Sequence, residues 1–226
     1  MNFVEGEVIL LNKPYRWTSF DLVKKVRCLV QKYCKVKKIK VGHAGTLDPL
    51  ATGLLIICTG KATKEIEQFQ GQEKEYIATL EVGKTTPSFD LETKVDKEFP
   101  TDHISQELVE DVLKKMTGDI LQVPPQFSAK SLNGERAYVS ARKGEKVELA
   151  PNKINISRIE LLSFDKPLLK IRVVCSKGTY IRALARDIGS LLHSGAYLVA
   201  LERTAIGNFK LSEALTIDEF ENKLYL

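Results

Sequence analysis

The chain has 226 residues and a mass of 25.4 kDa, with 43 % apolar residues, 28 % charged residues and a formal net charge of +5. That balance excludes a disordered chain, a collagen-like chain and a disulfide scaffold, and it leaves room for one large or two small packed domains. The first residues carry two acids, Glu5 and Glu7, and no basic group before a long apolar run, so no signal peptide is expected; no apolar stretch nears the ~20 residues of a membrane span.

In chain order, residues 7–11 read as a buried strand ending at Asn12-Lys13-Pro14. Residues 19–34 place Leu22, Val23, Val26, Leu29, Val30 and Tyr33 at helical spacing, with lysines on the other face and Thr18 or Ser19 as the natural N-cap. Residues 35–53 are polar, glycine-rich and irregular, and the fully apolar run 54–58 predicts a central strand. A helix is expected over 62–70, and the alternation of Tyr76, Ala78, Leu80 and Val82 predicts a half-buried strand. An amphipathic helix follows over 104–116, stopped by Gly118, and Pro124-Pro125 opens a second irregular stretch to about residue 135. Two strands at 154–164 and 168–175 join through Asp165-Lys166-Pro167; a helix at 179–193, a strand at 199–201 and a closing helix at 212–224 complete the chain. Strands and helices mix without strict β-α-β alternation, which makes the expected class α+β, with a mixed, largely antiparallel sheet flanked by helices and long loops.

Charge is unevenly spread. Residues 1–60 are net +6 and residues 61–120 net −6, and between Asp21 and Asp48 there is no acid at all while Lys24, Lys25, Arg27, Lys32, Lys35, Lys37, Lys38 and Lys40 accumulate. Such a stripe reads either as a polyanion-facing flank or as a solvated helix face. The cysteines, Cys28, Cys34, Cys58 and Cys175, lack C-x-x-C pairing and read as reduced core residues of a cytoplasmic protein.

Two segments carry possible chemistry. The loop Gly42-His43-Ala44-Gly45-Thr46-Leu47-Asp48-Pro49-Leu50-Ala51-Thr52-Gly53 holds one histidine and one carboxylate between three glycines. Asp48 there is open to two readings, a nucleophile or base on a rigid loop, or a plain cap of the Asp-Pro turn. The segment Ser176-Lys177-Gly178-Thr179-Tyr180-Ile181-Arg182 runs from a strand end into a helix on which Arg182 and Arg186 share a face. An arginine at that place suits an anion or a loop carboxylate, and equally an ordinary amphipathic surface. No H-E-x-x-H, G-x-x-x-x-G-K-[ST] or G-x-S-x-G is present, so any chemistry is expected to need no cofactor and no metal.

The 42–53 loop over its full length resembles the catalytic signature of the tRNA pseudouridine synthases of the TruB type. Five further segments stand in that family's order: Asn12-Lys13-Pro14 with Trp17-Thr18-Ser19, Lys74-Glu75-Tyr76, Pro124-Pro125-Gln126-Phe127-Ser128-Ala129-Lys130, Arg136-Ala137-Tyr138, and Lys177-Gly178-Thr179-Tyr180-Ile181-Arg182. The resemblance implies an isomerase, without cofactor, that converts the T-loop uridine of tRNA (position 55) to pseudouridine on a flipped-out nucleotide. By matching position Asp48 is the catalytic carboxylate, Arg182 its partner, and Tyr76 the residue against the target ring with a proton-transfer role. Tyr180 and His43 hold the extruded nucleotide, Leu201 supplies apolar wall, and Lys130 a phosphate contact. The implied partner is the tRNA T-arm, bound by a monomer. Residues 1–226 are then expected to form a single catalytic domain, with 205–226 a short extension in place of the PUA domain that longer relatives carry. The turn after Lys13-Pro14 departs from the family pattern, because Tyr15-Arg16 stand where a glycine is usual. A non-catalytic T-arm binding module is the competing reading, and a synthase guided by a separate RNA is a third.

Overall fold

The computed structural model describes residues 2–127, 131–132, 135–136 and 149–225. Within these, residues 2–77 together with 201–225 form one compact unit, and those between 78 and 200 form another. The class is as the sequence predicts, a largely antiparallel sheet with flanking helices. Among the described residues no helix is long and apolar enough to cross a membrane.

In the first unit, strand β1 (Val8–Lys13) runs antiparallel to β3 (Ala51–Thr59), with Val8 opposite Cys58 and Lys13 opposite Gly53. Because β1 covers one edge of β3 from Gly53 to Cys58, the other edge is shared. There β12 (Ala196–Ile206) pairs in parallel with the start of β3, Leu201 opposite Ala51 and Arg203 opposite Gly53, while β2 (Val41–His43) pairs antiparallel with its end, His43 opposite Ile57. The chain between β2 and β3, residues 44–50, leaves the sheet at the split between these two neighbours. Covered on both sides, β3 is almost wholly buried, as a continuous apolar run requires.

Helix α1 (Ser19–Cys34) lies over this sheet. Thr18 and Asp21 make a reciprocal capping box, Asp21 N–H donating to Thr18 Oγ1 at 3.0 Å and Thr18 N–H to Asp21 Oδ2 at 2.9 Å. Leu22, Val23, Val26, Leu29 and Val30 form one stripe packed with Leu11, Leu55, Ile57 and, from α5 (Ile217–Tyr225), Phe220 and Leu224. At roughly 1.5–3 kcal/mol for each buried aliphatic or aromatic side chain, this packing outweighs what intrinsic propensity gives a helix of this length. On the other face of the sheet Leu54, Ile56 and Cys58 pack with Phe69 of α2 (Ile66–Gly71) and with Phe209 of β13 (Phe209–Lys210).

In the second unit β4 (Lys74–Val82), which begins in the first, is followed in the sheet by β11 (Leu168–Cys175), β10 (Asn152–Asp165) and β7 (Gly118–Gln122). Helix α3 (Gln106–Lys115) packs on β10 and on α4 (Ile181–Leu191). Short ladders β5 (Lys84–Thr85) with β6 (Lys97–Glu98), and β8 (Ser131–Leu132) with β9 (Glu135–Arg136), sit in the connections. None of the four cysteines is bonded to another; Cys58 and Cys175 are buried as expected, whereas Cys28 is exposed and Cys34 half-buried.

Candidate active site

Asp48 lies half-buried in the 44–50 segment, and both of its neighbours are tied down. Ser19 Oγ, at the start of α1, donates to Leu47 O at 3.1 Å and accepts from Leu47 N–H at 2.8 Å. Pro49 O accepts from Arg16 N–H at 2.8 Å and from Lys13 Nζ at 3.4 Å, and Asp48 O itself accepts from Ala51 N–H at 3.1 Å. Lys13 has no exposed surface; its ammonium also donates to Pro14 O at 3.0 Å and Trp17 O at 2.5 Å. One buried cation therefore joins the end of β1, the β1–α1 turn and the Asp48 loop. Burial pushes the Lys13 pKa down to about 8, with the Asp48 carboxylate pulling the other way and the Arg203 guanidinium adding to the depression.

Arg203, also fully buried, fills the split beside β3: Nε donates to Leu54 O at 2.8 Å and Nη2 to Gly45 O at 3.0 Å. The two strands approach so closely here that a Cβ on Gly53 would stand 2.4 Å from Arg203 O, and Gly53 has φ +106°, so only glycine fits. His43 closes β2 at the other rim; burial, with a smaller push from Arg203, lowers its pKa against an opposing backbone contact with Gly45, so the ring is neutral at pH 7. The first unit thus brings His43, Asp48 and Leu201 to one break in the sheet, Leu201 half-buried opposite Ala51. Tyr76, 8 % exposed, sits on β4 in the same unit, where the neighbouring Glu75 accepts from Thr204 of β12 at 2.7 Å.

The second unit positions the other pair. Tyr180 stands at the N-cap of α4, pinned by the buried Gln122 of β7, whose Oε1 accepts from Tyr180 N–H at 2.8 Å and whose Nε2 donates to Tyr180 O at 3.2 Å. Arg182, in the first turn, is buried; Nη2 donates to Phe127 O at 2.9 Å, Nη1 to Ser88 O at 3.3 Å, and Nε lies 3.6 Å from Asp90 Oδ2. Asp90 is itself held in a hydrogen-bonded loop, its carbonyl accepting from Thr86 Oγ1 at 2.7 Å and its Oδ1 from Glu92 N–H at 2.9 Å. Arg186, one turn on, covers the Phe89 ring at 5.1 Å. Lys130, with Ser128, Ala129, Ala137 and Tyr138, lies outside the described residues.

Asp90, Gln122 and Arg203 were not legible as site residues. Each acts through a partner distant in sequence, and the one local hint, a lone Asp after Thr85-Thr86-Pro87-Ser88-Phe89, is the composition of any turn.

A family model described as the N-terminal domain of TruB family pseudouridylate synthase matches residues 31–181, and one described as the tRNA pseudouridylate synthase B C-terminal domain matches 182–226. The chain is 60 % identical to a tRNA pseudouridine synthase B of Parabacteroides distasonis over 224 residues, covering 99 % of this chain and 95 % of that one. It is 49 % identical to the protein of the same name from Flavobacterium johnsoniae, covering 98 % and 97 %. Among solved structures, a chain of a Cbf5-Nop10-Gar1 complex superposes with TM-score 0.74 at 27 % identity, over 99 % of this chain and 55 % of that one, so this chain spans about half its length.

Proposed function

The chain belongs to the TruB family of pseudouridylate synthases, and on that premise we propose that it isomerises the T-loop uridine of tRNA, position 55, with Asp48 as the catalytic carboxylate. It is a tRNA pseudouridine synthase, an enzyme of the isomerase class. The observation that carries the assignment of Asp48 is its mounting: a half-buried carboxylate whose two neighbours are fixed by Ser19, Arg16 and a buried lysine, next to a glycine-only strand approach.

The net reaction breaks the bond from uracil N1 to ribose C1′ and makes one from C5 to C1′; C5 gives up its proton and N1 ends with one. Atoms and charge balance without another reactant. A uridine stacked in a folded loop is out of reach, so the nucleotide is extruded first, at a cost of a few kcal/mol. Aromatic contacts return ~1–3 kcal/mol per base, and Tyr76, Tyr180 and the neutral His43 are the groups assigned to them, with Leu201 as apolar wall. Arg182 is assigned to orient Asp48, and Asp90 to aim Arg182, since a guanidinium presents several donors in a fixed fork. Tyr76 lies against the ring and takes part in moving the C5 proton. Lys130 contacts phosphate. Residues 1–226 are assigned to one catalytic domain, with 205–226 a short extension, acting on the T-arm as a monomer.

The test is incubation of the isolated protein with an unmodified tRNA transcript, followed by site-resolved detection of pseudouridine. Wild type forms it at one T-loop position; Asp48→Asn binds the transcript and forms none. Undiminished activity in Asp48→Asn removes that residue from the chemistry. Binding with no product at any position makes the protein a T-arm binding module, and product only with an added guide RNA makes it a guided synthase.

A further inference from the structure

Resting on the reading of Asp48 above, we propose that Tyr15 and Arg16, in the turn between β1 and α1, bind an unpaired nucleotide of the substrate RNA next to the target uridine, the Tyr15 ring taking the base or ribose and the Arg16 guanidinium the phosphate.

The backbone gives the first reason. Arg16 has φ +67°, in the left-handed region where a side chain is strained and glycine is at ease. The fold enforces that angle through Arg16 N–H on Pro49 O at 2.8 Å and through Lys13 Nζ on the carbonyls of Pro14 and Trp17. For the fold alone, glycine is the better residue; the arginine needs another use. The side chains give the second reason. Arg16 is exposed, and among the described residues its guanidinium makes no hydrogen bond or ion pair and rests only over the Tyr15 ring, Cζ 5.6 Å from the centroid. Tyr15 is itself 48 % exposed, and Phe20, in the first turn of α1, is 63 % exposed. Asp21, the nearest acid in sequence, is committed to the Thr18 capping box. A planar cation stacked on an aromatic ring, both facing water, matches the two faces of a nucleotide, a flat base and an anionic link.

Location gives the third. The Arg16 amide is bonded to Pro49, the residue after Asp48, so the pair is anchored to the same loop that carries the carboxylate. A nucleotide held there is a close neighbour of the one held at Asp48, which makes the pair a device for setting strand direction and register.

The experiment uses the whole chain with an unmodified tRNA transcript and the variants Arg16→Gly, Tyr15→Ala and Tyr15→Phe. Steady-state kinetics, equilibrium binding across a salt series and thermal melting are measured on each. Tyr15→Ala is expected to raise KM about tenfold with kcat within about twofold, and Tyr15→Phe to restore the wild-type KM. Arg16→Gly is expected to raise KM, to flatten the salt slope of binding by about 0.7–0.9, and to melt no lower than wild type, because the strain is relieved. Weaker RNA binding in a protein that is at least as stable is the signature a purely structural residue does not give. The proposal is overturned if Arg16→Gly keeps the wild-type KM and salt slope, or if it melts lower and loses kcat together. A wild type that yields no pseudouridine overturns the catalytic reading instead, and the binding arm still decides on Tyr15 and Arg16.

Discussion

Lys13 shows how one residue can hold the Asp48 loop. Its ammonium is removed from water, which costs several kcal/mol for an isolated ion, and the compensation is local: three carbonyls and the nearby Asp48 carboxylate. Desolvation wins part of the contest and leaves the pKa at about 8 instead of 10.5, so the group is a cation at pH 7 and loses its proton in mildly alkaline solution. The consequences for stability and activity have opposite signs. Between about 8 and 10.5 the unfolded chain binds this proton more tightly than the folded one, so Lys13 by itself makes folding more favourable as pH rises through that window. Activity moves the other way, because a neutral amine has one donor fewer for the three carbonyls and no charge to set beside Asp48. The expected pH profile of kcat/KM has an alkaline limb with an apparent pKa near 8, without any matching loss of melting temperature. Lys13→Met removes the limb along with most of the activity. A profile flat to pH 9.5, or a limb that survives in Lys13→Met, assigns the titration elsewhere.

At the scale of elements, α1 serves as the mount of the Asp48 loop as well as a core helix. Ser19 Oγ gives Leu47 both a donor and an acceptor, and Ser19 is 2 % exposed, so its loss leaves a buried N–H and a buried C=O unpaired at about 1–3 kcal/mol. Thr18 next to it hydrogen-bonds Asp21 to cap the helix, and its loss costs about 1 kcal/mol. Ser19→Ala is therefore expected to lower kcat at least tenfold while Thr18→Ala lowers only the melting temperature; equal kcat in the two variants, measured at saturating transcript, would show that the loop does not depend on the Leu47 clamp. The same helix marks what was legible beforehand. Its bounds, 19–34, could be read because the apolar period and the Thr18 cap are both local signals, to which the structure adds the Asp21 half of the capping box and a left-handed Lys35 just past the end. β7 could not, because Leu121 is 74 % exposed and the strand exists only by pairing Gly118–Gln122 against β10. β12 was legible only over 199–201, since the strand continues through Glu202, Arg203 and Thr204, and a fully buried arginine breaks the apolar pattern that announces a buried strand. α5 starts at Ile217 and not at 212, with Thr216 and Glu219 bonded reciprocally at its N-terminus. The site followed the same division. Asp48 stood out through its glycines and the acid-free stretch before it, whereas Asp90 and Arg203 are defined by register and tertiary partners that no local window contains.

For the molecule as a whole, the net charge of +5 matters less than where the basic groups end up. Of the run from Lys24 to Lys40, two are spent inside the first unit: Lys25 pairs with Glu221 at 2.7 Å, and Arg27 donates to Val41 O at 3.1 Å. Lys32 lies over the Tyr225 ring at 5.9 Å. Lys24, Lys35, Lys37, Lys38 and Lys40 extend into water, and no acid lies between Asp21 and Asp48 to neutralise them locally. An array of solvated lysines with this spacing contributes little to folding, since an exposed charge is worth at most about 1 kcal/mol even when paired, but it suits release of counterions from a phosphate backbone. Each phosphate contact adds about 0.7–0.9 to the slope of log affinity against log salt. The triple variant Lys37→Ala, Lys38→Ala, Lys40→Ala is therefore expected to bind unmodified transcript with a slope smaller by about 2, and to weaken most at low salt. Lys114→Ala, in the second unit and already paired with Asp111 at 3.2 Å, is expected to keep the wild-type slope. If both variants match wild type across the salt series, the RNA runs over another face and the stripe is a solvated helix end; if both fall equally, attraction follows net charge and not the placement of these lysines.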